Sequence, residues 1–362
     1  MDEYKYLAIV EWAKKYIADN KLQSDERFLS ENELCSIHNV SRQTVRQALK
    51  VLEDEDVLCR VRGSGTFVKG AAATPKAKAA HLSVGVVSTY FSDYIFPSIV
   101  TGIESVLKRN NIGMQLSITH NQVFEERQAL ETMLAHGVAG LIVEPSKSAL
   151  PNPNRKLYEE IKKNNIPLIF FNAKHTWADF PCVAMDDVMA GKRVTDYLFE
   201  HGHMKVSAFL AADDIQGHNR YFGFMKSCEE HGITLAEQNV LWYSTAERSE
   251  LFTRSEARIM SMIDSSTAIV CYNDKLAVEL LNFCKKKDIV VPDDISIVGI
   301  DNSKLSTICD VKLTTVVHPH QKLGEKAAEL LLKQMRNPLK AYEDIVFNAE
   351  LVVRDSVRDL RY

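Results

Sequence analysis

The sequence predicts an α/β protein in two parts: a small helical head ending in a β-hairpin, and a large two-lobed body of parallel sheets flanked by helices. Residues 69–80, KGAAATPKAKAA, carry no large apolar side chain and cannot hold a core, so they read as a linker between domains at 1–68 and 81–362. Beyond them, short apolar runs alternate with helical stretches: LSVGVVST, GMQLSIT, GLIVEP and PLIFFN, then VSAFLA, NVLWYS, TAIVCYN and ISIVGID. Such alternation implies parallel sheets covered on both faces, and roughly eighteen elements suit two lobes better than one sheet. The 362 residues, 46% hydrophobic, suffice for two or three cores.

Three helices fit the head. The first runs over about 5–19, with Leu7, Ile9, Val10, Ala13 and Ile17 apolar. The second begins at Ser30, where SENE fits a capping box with Glu33 at its third position. The third starts after Ser41 and runs to about Glu53. On a helical wheel Val45, Ala48, Leu49 and Leu52 share one stripe, and Arg42, Arg46 and Lys50 share another, with Gln43 and Gln47 beside them. Arg and Gln read guanine and adenine edges with paired hydrogen bonds, and a row of cations meets a phosphate ridge. Taken alone, such a helix is an ordinary solvated amphipathic helix.

The next residues decide between these readings. VLCRVRGSGTFV alternates Leu58 and Val61 with Arg60 and Arg62, turns at Gly63-Ser64-Gly65 and returns through Thr66-Phe67-Val68, which is a hairpin. Two short helices, a basic third helix and a basic hairpin make a winged helix-turn-helix. The stretch LSENELCSIHNVSRQTVRQALKVLEDEDVLCRVRGSGTFV resembles the GntR-type DNA-binding domain, with Leu29 where that family usually has proline. The resemblance implies that Arg42, Gln43, Thr44 and Arg46 face DNA, joined by Ser30 and Glu31 and by Arg62, Gly63 and Gly65 of the wing. Lys5 and Tyr6 either touch phosphate or face solvent.

Charge adds a constraint. The chain carries a net −4 and a pI near 6.3, so only a local surface can meet DNA. Residues 1–68 hold ten Lys and Arg against twelve Asp and Glu, the acids clustering in EDED at 53–56 and at the N-terminus, away from the basic stripe. Seven cysteines are scattered without metal-ligand spacing, which implies a reducing compartment. The charged start predicts no secretory leader, and no apolar run reaches the roughly 20 residues of a membrane span. A cytoplasmic protein without cofactor or metal is expected.

For the body, an enzyme is the first alternative. No GxGxxG follows the first strand and no GxSxG elbow occurs. HGHMK at 201–205 offers two histidines without a third ligand, and reads as a turn between helix and strand. Polar groups instead collect where strands end, the place ligands occupy in open α/β sheets. They are Tyr90 and Tyr94, Glu144, Asn172, Trp242 and Tyr243, Asn273-Asp274 and Asp301, with Arg220 just inside a helix starting near His218. Carboxylates, amides and arginine hold hydroxyls in pairs, and aromatic rings cover the apolar face of a sugar. Asn273-Asp274 also fits a simple helix cap.

HNRYFGFMKSCEEHGI, AIVCYNDKLAVELLNFCKKKDIVVPDDISIVGIDNS and LTTVVHPHQKLGEKAAELLL resemble the sensing domain of LacI/GalR-type repressors, itself similar to periplasmic sugar-binding proteins. The resemblance implies a periplasmic-binding-protein-like body in which Arg220, Asn273 and Asp301 bond sugar hydroxyls, while Asn172 and Trp242 or Tyr243 line the cleft. Glu144 and Lys147 are further candidates, with plain surface the other reading of Lys147. A GntR-type head on such a body resembles the arabinose repressors of Gram-positive bacteria, and LIVEPSKSALPNPN and FFNAKH are similar to that group. This implies a homodimeric repressor on operator DNA, released by L-arabinose. A different sugar, or a sugar acting as co-repressor or activator, stays open.

Overall fold

The computed structural model describes residues 5–20, 22–23, 26–55, 57–61, 65–69, 82–91, 94–234, 237–338 and 340–361. They divide into two compact units, Met1–His81 and Leu82–Tyr362. Except for Lys69, the expected linker lies outside the described residues.

The head is a winged helix-turn-helix. Helix α1 (Lys5–Asp19) buries Ile9, Val10, Ala13 and Ile17 but leaves Leu7 exposed, because Leu7 falls off that stripe. Helix α2 (Glu31–His38) carries the expected capping box: the Glu33 N–H donates to the Ser30 hydroxyl at 3.3 Å, and the Ser30 N–H donates to the Glu33 carboxylate at 2.7 Å. Asn39 takes a left-handed conformation to turn the chain into α3 (Arg42–Asp54), capped by Ser41. Strands β1 (Leu58–Val61) and β2 (Gly65–Val68) form the antiparallel wing, with Leu58 opposite Val68. The segment before α2 adds an edge to the wing: the Phe28 N–H donates to the Thr66 carbonyl and the Val68 N–H to that of Glu26, both at 2.8 Å. Leu29 packs partly buried on the head core.

The first lobe of the body follows as β3 (Ser83–Ser88), α4 (Phe96–Arg109), β4 (Gly113–Ile118), α5 (Val123–Ala135), β5 (Gly140–Val143), α6 (Arg155–Lys163), β6 (Leu168–Phe171) and β7 (Cys182–Met185). The second holds α7 (Asp187–Glu200), β8 (Val206–Ala211), α8 (Ile215–Glu230), β9 (Val240–Tyr243), α9 (Leu251–Arg254), α10 (Glu256–Ser265), β10 (Ala268–Cys271), α11 (Asp274–Lys286), β11 (Ser296–Val298), α12 (Leu305–Ile308) and β12 (Thr315–Val317). The chain then returns through α13 (His320–Arg336) and β13 (Ile345–Phe347) to the first lobe and ends at β14 (Glu350–Val352), paired with β12. The first sheet runs β13-β7-β6-β5-β3-β4 and the second β11-β10-β8-β9, all parallel.

Alternation sorts the first sheet's side chains onto two cores. Val84, Val86, Ile142 and Phe171 face α4 and α13, while Val87, Leu141, Val143 and Phe170 face the other way. The chain passes between lobes three times, at Asp186, at His318-Pro319 and at Asn348-Ala349. In the second lobe α7 and α8 lie in close contact because Gly191 and Gly223 lack side chains: a methyl at Gly223 would strike the Val188 carbonyl, and one at Gly191 that of Arg220. Gly223→Ala is expected to destabilise the body by about 1–3 kcal/mol, the usual range for overpacking, as read by thermal unfolding.

Candidate functional site

On the head, α3 exposes Arg42, Gln43, Arg46 and Lys50 because its opposite stripe is fully buried. Thr44 is half-buried, and its N–H donates to the capping hydroxyl of Ser41 at 3.3 Å. Arg46 is paired: its Nε lies 3.1 and 3.3 Å from the two oxygens of the Glu31 carboxylate. Arg60 of β1 donates to the same carboxylate and lies 3.4 Å from Glu53. Glu31 therefore ties α3 to the wing. Glu53, the first residue of the acidic run, thus reaches a wing arginine. The Ser30 hydroxyl is held in its capping box, and Tyr6 packs half-buried on the head core. Gly65 takes φ +124°, which side chains rarely adopt, and the Arg27 guanidinium occupies the adjoining space. Arg62, Gly63 and the Lys5 side chain lie outside the described residues.

In the body, a cleft brings together Tyr90, Tyr94, Glu144, Asn172, Arg220, Tyr243, Asn273 and Asp301. On the first lobe, Glu144 accepts from the Thr89 N–H at 2.9 Å, from the Thr89 and Ser88 hydroxyls, and from the Asn172 Nδ2 at 2.7 Å. Burial pushes the Glu144 carboxyl up, and these donors oppose it. With three donors on one oxygen, Glu144 orients Asn172 through the other. Asn172 sits at φ +61°, and its buried Oδ1 has no partner among the described residues. Such an acceptor costs about 1–3 kcal/mol until a donor such as a sugar hydroxyl meets it. Tyr90 leans on Phe96 with ring centroids 5.5 Å apart, and Tyr243 meets Tyr272 edge-on at 6.5 Å, giving the cleft aromatic surface.

On the second lobe, Arg220 is 2% exposed. Its Nε donates to Asp187 at 2.8 Å, one terminal nitrogen to the Tyr272 carbonyl at 2.5 Å, and the other to Asp301 at 3.3 Å. Burial works against its charge, but Asp187 and Asp301 outweigh burial and keep the guanidinium protonated. Three of its five N–H groups are thus committed, leaving donors for a ligand. Asp301 also accepts from the Tyr94 hydroxyl at 2.5 Å, and the Asn121 Nδ2 donates to Thr245 at 2.8 Å. Both bonds join the two lobes across the cleft.

Two family profiles match the chain: bacterial regulatory proteins of the gntR family over residues 5–68, and a periplasmic binding protein-like domain over residues 195–357. The arabinose metabolism transcriptional repressor of Geobacillus stearothermophilus is 38% identical over 98% of this chain and 98% of its own. That of Halalkalibacterium halodurans is 36% identical over 99% and 98%. The chain belongs to this family of repressors. CcpA of Lactococcus lactis superposes with TM-score 0.67 at 25% identity, covering 76% of this chain and 99% of its own. A LacI family regulator of Enterococcus faecalis V583, solved with bound ribose, gives 0.67 at 25% identity over 77% and 100%. The repressor is accordingly a sugar-responsive transcriptional regulator with a DNA-binding head and a sugar-binding body.

Three expected cleft residues stand elsewhere in the repressor. Trp242 precedes Tyr243 on β9, so it points to the opposite face, where it packs on His218 and Tyr221 with centroids 5.1 and 5.2 Å away. Asp274 is buried beside the cleft, accepting from the Ser303 N–H at 2.7 Å and from the Ser303 and Thr315 hydroxyls. It braces the turn after Asp301. Lys147 takes φ +45° and gives its N–H to Asn121, with its side chain outside the cleft. Asn273 both lines the cleft and caps α11, accepting from the Leu276 N–H at 3.0 Å. Helix α8 begins at Ile215, not near His218, so Arg220 lies well inside it. His203 bonds Thr267 and the Arg358 carbonyl at 3.0 and 2.9 Å, as fits a buried turn.

The strand-end rule also reaches Asp214 and Tyr272, cleft residues that were not singled out, at the ends of VSAFLA and AIVC. It reaches Asn121 as well, three residues past the end of β4 as Asp214 is past the end of β8.

Burial, then Asp301, pushes the Asp274 carboxyl up to about 7. Between about pH 4, where the unfolded carboxyl titrates, and pH 7, the folded repressor holds a proton that the unfolded chain has released. That contribution to stability is fully present below pH 4 and is lost as pH rises through 7. Asp274→Asn is expected to reduce the fall in melting temperature between pH 5.5 and pH 8.

Proposed function

We propose that the repressor binds a pseudo-palindromic operator as a cytoplasmic homodimer and is released when L-arabinose fills the body cleft. The observation that carries this reading is the cleft's donor and acceptor set, Arg220, Asp301 and the unpartnered Oδ1 of Asn172, in a chain similar along its whole length to arabinose repressors. Charged and amide groups in pairs suit neighbouring hydroxyls, and Tyr90 and Tyr243 offer ring faces to the apolar side of a pyranose. On the head, Arg42, Gln43, Thr44 and Arg46 lie in the major groove, Ser30 and Glu31 flank them, and the wing around Gly65 follows the backbone. Lys5 and Tyr6 meet phosphate.

Sugar binding draws the lobes together and weakens operator binding by the coupling free energy, about 1–3 kcal/mol or roughly 5- to 150-fold. The test is binding to an operator fragment titrated with L-arabinose beside D-xylose, D-galactose and D-ribose. Selective release by L-arabinose supports the reading. Release by D-ribose alone keeps the architecture and removes the ligand.

A further inference from the structure

The segment EPSKSALPNPN, at 144–154, joins β5 to α6 and contributes Pro145 and Ser148 to the cleft. It carries no regular secondary structure, yet it is held by one buried carboxylate. Glu126, in the first turn of α5, is 0% exposed. One of its oxygens accepts from the Ser146 N–H at 2.5 Å. The other accepts from the amides of Asn152 and Asn154, each at 3.2 Å, and from the Tyr158 hydroxyl at 3.1 Å. All four donors belong to the segment or to the helix it leads into.

The far side of the same segment crosses to the second lobe. The Ser148 hydroxyl accepts from the Ile215 N–H at 2.9 Å, and the Ala149 N–H donates to the Asp213 carbonyl at 3.2 Å. Between these anchors, Lys147 is held at positive φ by its N–H bond to Asn121 at 2.7 Å, and Asn121 itself reaches Thr245. Ionised, Glu126 offers acceptors only, which matches four donors; an amide there would set its own N–H groups against one side of the cluster. A surface loop with no such centre would sample many shapes, and ordering it would be a cost of closing the cleft.

We propose that Glu126 is a positioning residue for the effector response: it holds 145–154 in the shape that engages Asp213 and Ile215 when the lobes close. The inference rests on the reading of the cleft as the effector site. Its action is through the segment and not on the sugar.

Glu126→Gln is expected to raise the L-arabinose concentration for half-release of operator at least tenfold, with sugar-free operator affinity within twofold of wild type. Ser148→Ala removes the cross-lobe acceptor and is expected to raise the midpoint several-fold. In the double variant the two effects do not add, because both act on one strap. A merely structural role for Glu126 would lower melting temperature without that coupling. Should Glu126→Gln fail to fold, Asn152→Ala and Asn154→Ala remove single donors, and each is expected to raise the midpoint while coupling to Ser148→Ala. Wild-type midpoints in any of these variants, or additive effects with Ser148→Ala, overturn the inference. If wild type itself ignores every sugar, the effector reading falls and this inference with it. If wild type responds and Glu126→Gln responds alike, this inference alone falls.

Discussion

Arg220→Ala will leave operator binding intact and abolish its release at the sugar concentrations that release the wild type. The guanidinium is the hub of the second lobe's cleft wall, joined to Asp187, the Tyr272 carbonyl and Asp301. Its loss removes a charged donor to the ligand, about 1.5–3 kcal/mol or roughly 10- to 150-fold in sugar affinity. It also leaves Asp187 and Asp301 buried without a counter-charge, and breaking a buried pair costs about 3–5 kcal/mol of stability. The melting temperature will therefore fall as well. Arg220→Lys separates the two effects: it keeps the charge, but a single ammonium cannot span three partners in the fork geometry. Operator binding titrated with L-arabinose, beside calorimetric unfolding, reads both. Release of Arg220→Ala at the wild-type sugar concentration would show that the cleft is not the effector site.

Arg46→Ala will do the reverse: operator binding is lost and sugar binding survives. A bidentate base contact is worth about 1–3 kcal/mol, and the proposed dimer would present two heads, so the expected loss is about 2–6 kcal/mol, at least 30-fold. The Nε of Arg46 already lies against Glu31, which leaves its terminal nitrogens for DNA. Lys50→Ala is the control. As a phosphate contact, its loss from both heads should weaken all sequences alike and lower the salt slope by about two. Equal losses on operator and random DNA for Arg46→Ala would assign it to the backbone and not to the bases.

The head was legible because its signals are local. A capping box needs only Ser30 and Glu33, and the buried stripe of α3 needs only a 3.6-residue period. Both act within one or two turns of chain. Most of the eight apolar runs were legible for a related reason: a strand covered on both faces is apolar throughout, whatever its neighbours, while the edge strand β4 shows instead as the alternation of Met114, Leu116 and Ile118 with Gln115 and Ser117. The strands that escaped this reading, β7, β12, β13 and β14, are short, and they pair across long gaps in sequence; β13 lies beside β7 more than 150 residues earlier. Nothing local in IVF or CVAM encodes that partner.

The cleft divides along the same line. Polar residues at strand ends mark where a ligand sits, and this follows from the right-handed crossovers of parallel sheets alone. Which of two adjacent residues faces inward is a question of register, and Tyr243 rather than Trp242 was settled by the parity of β9 against β8. The sequence by itself determined a DNA-reading head, a two-lobed sensing body and the rim of strand ends that forms the cleft, because turn chemistry and periodicity act over a few residues. Tertiary structure alone decided that Arg220 reaches Asp187 and Asp301, that Asp274 braces a turn instead of lining the cleft, and that Glu126 gathers a loop some twenty residues away. Those contacts exist only once distant segments are packed together, since the burial that gives a charge its partner is made by the fold and not by the chain.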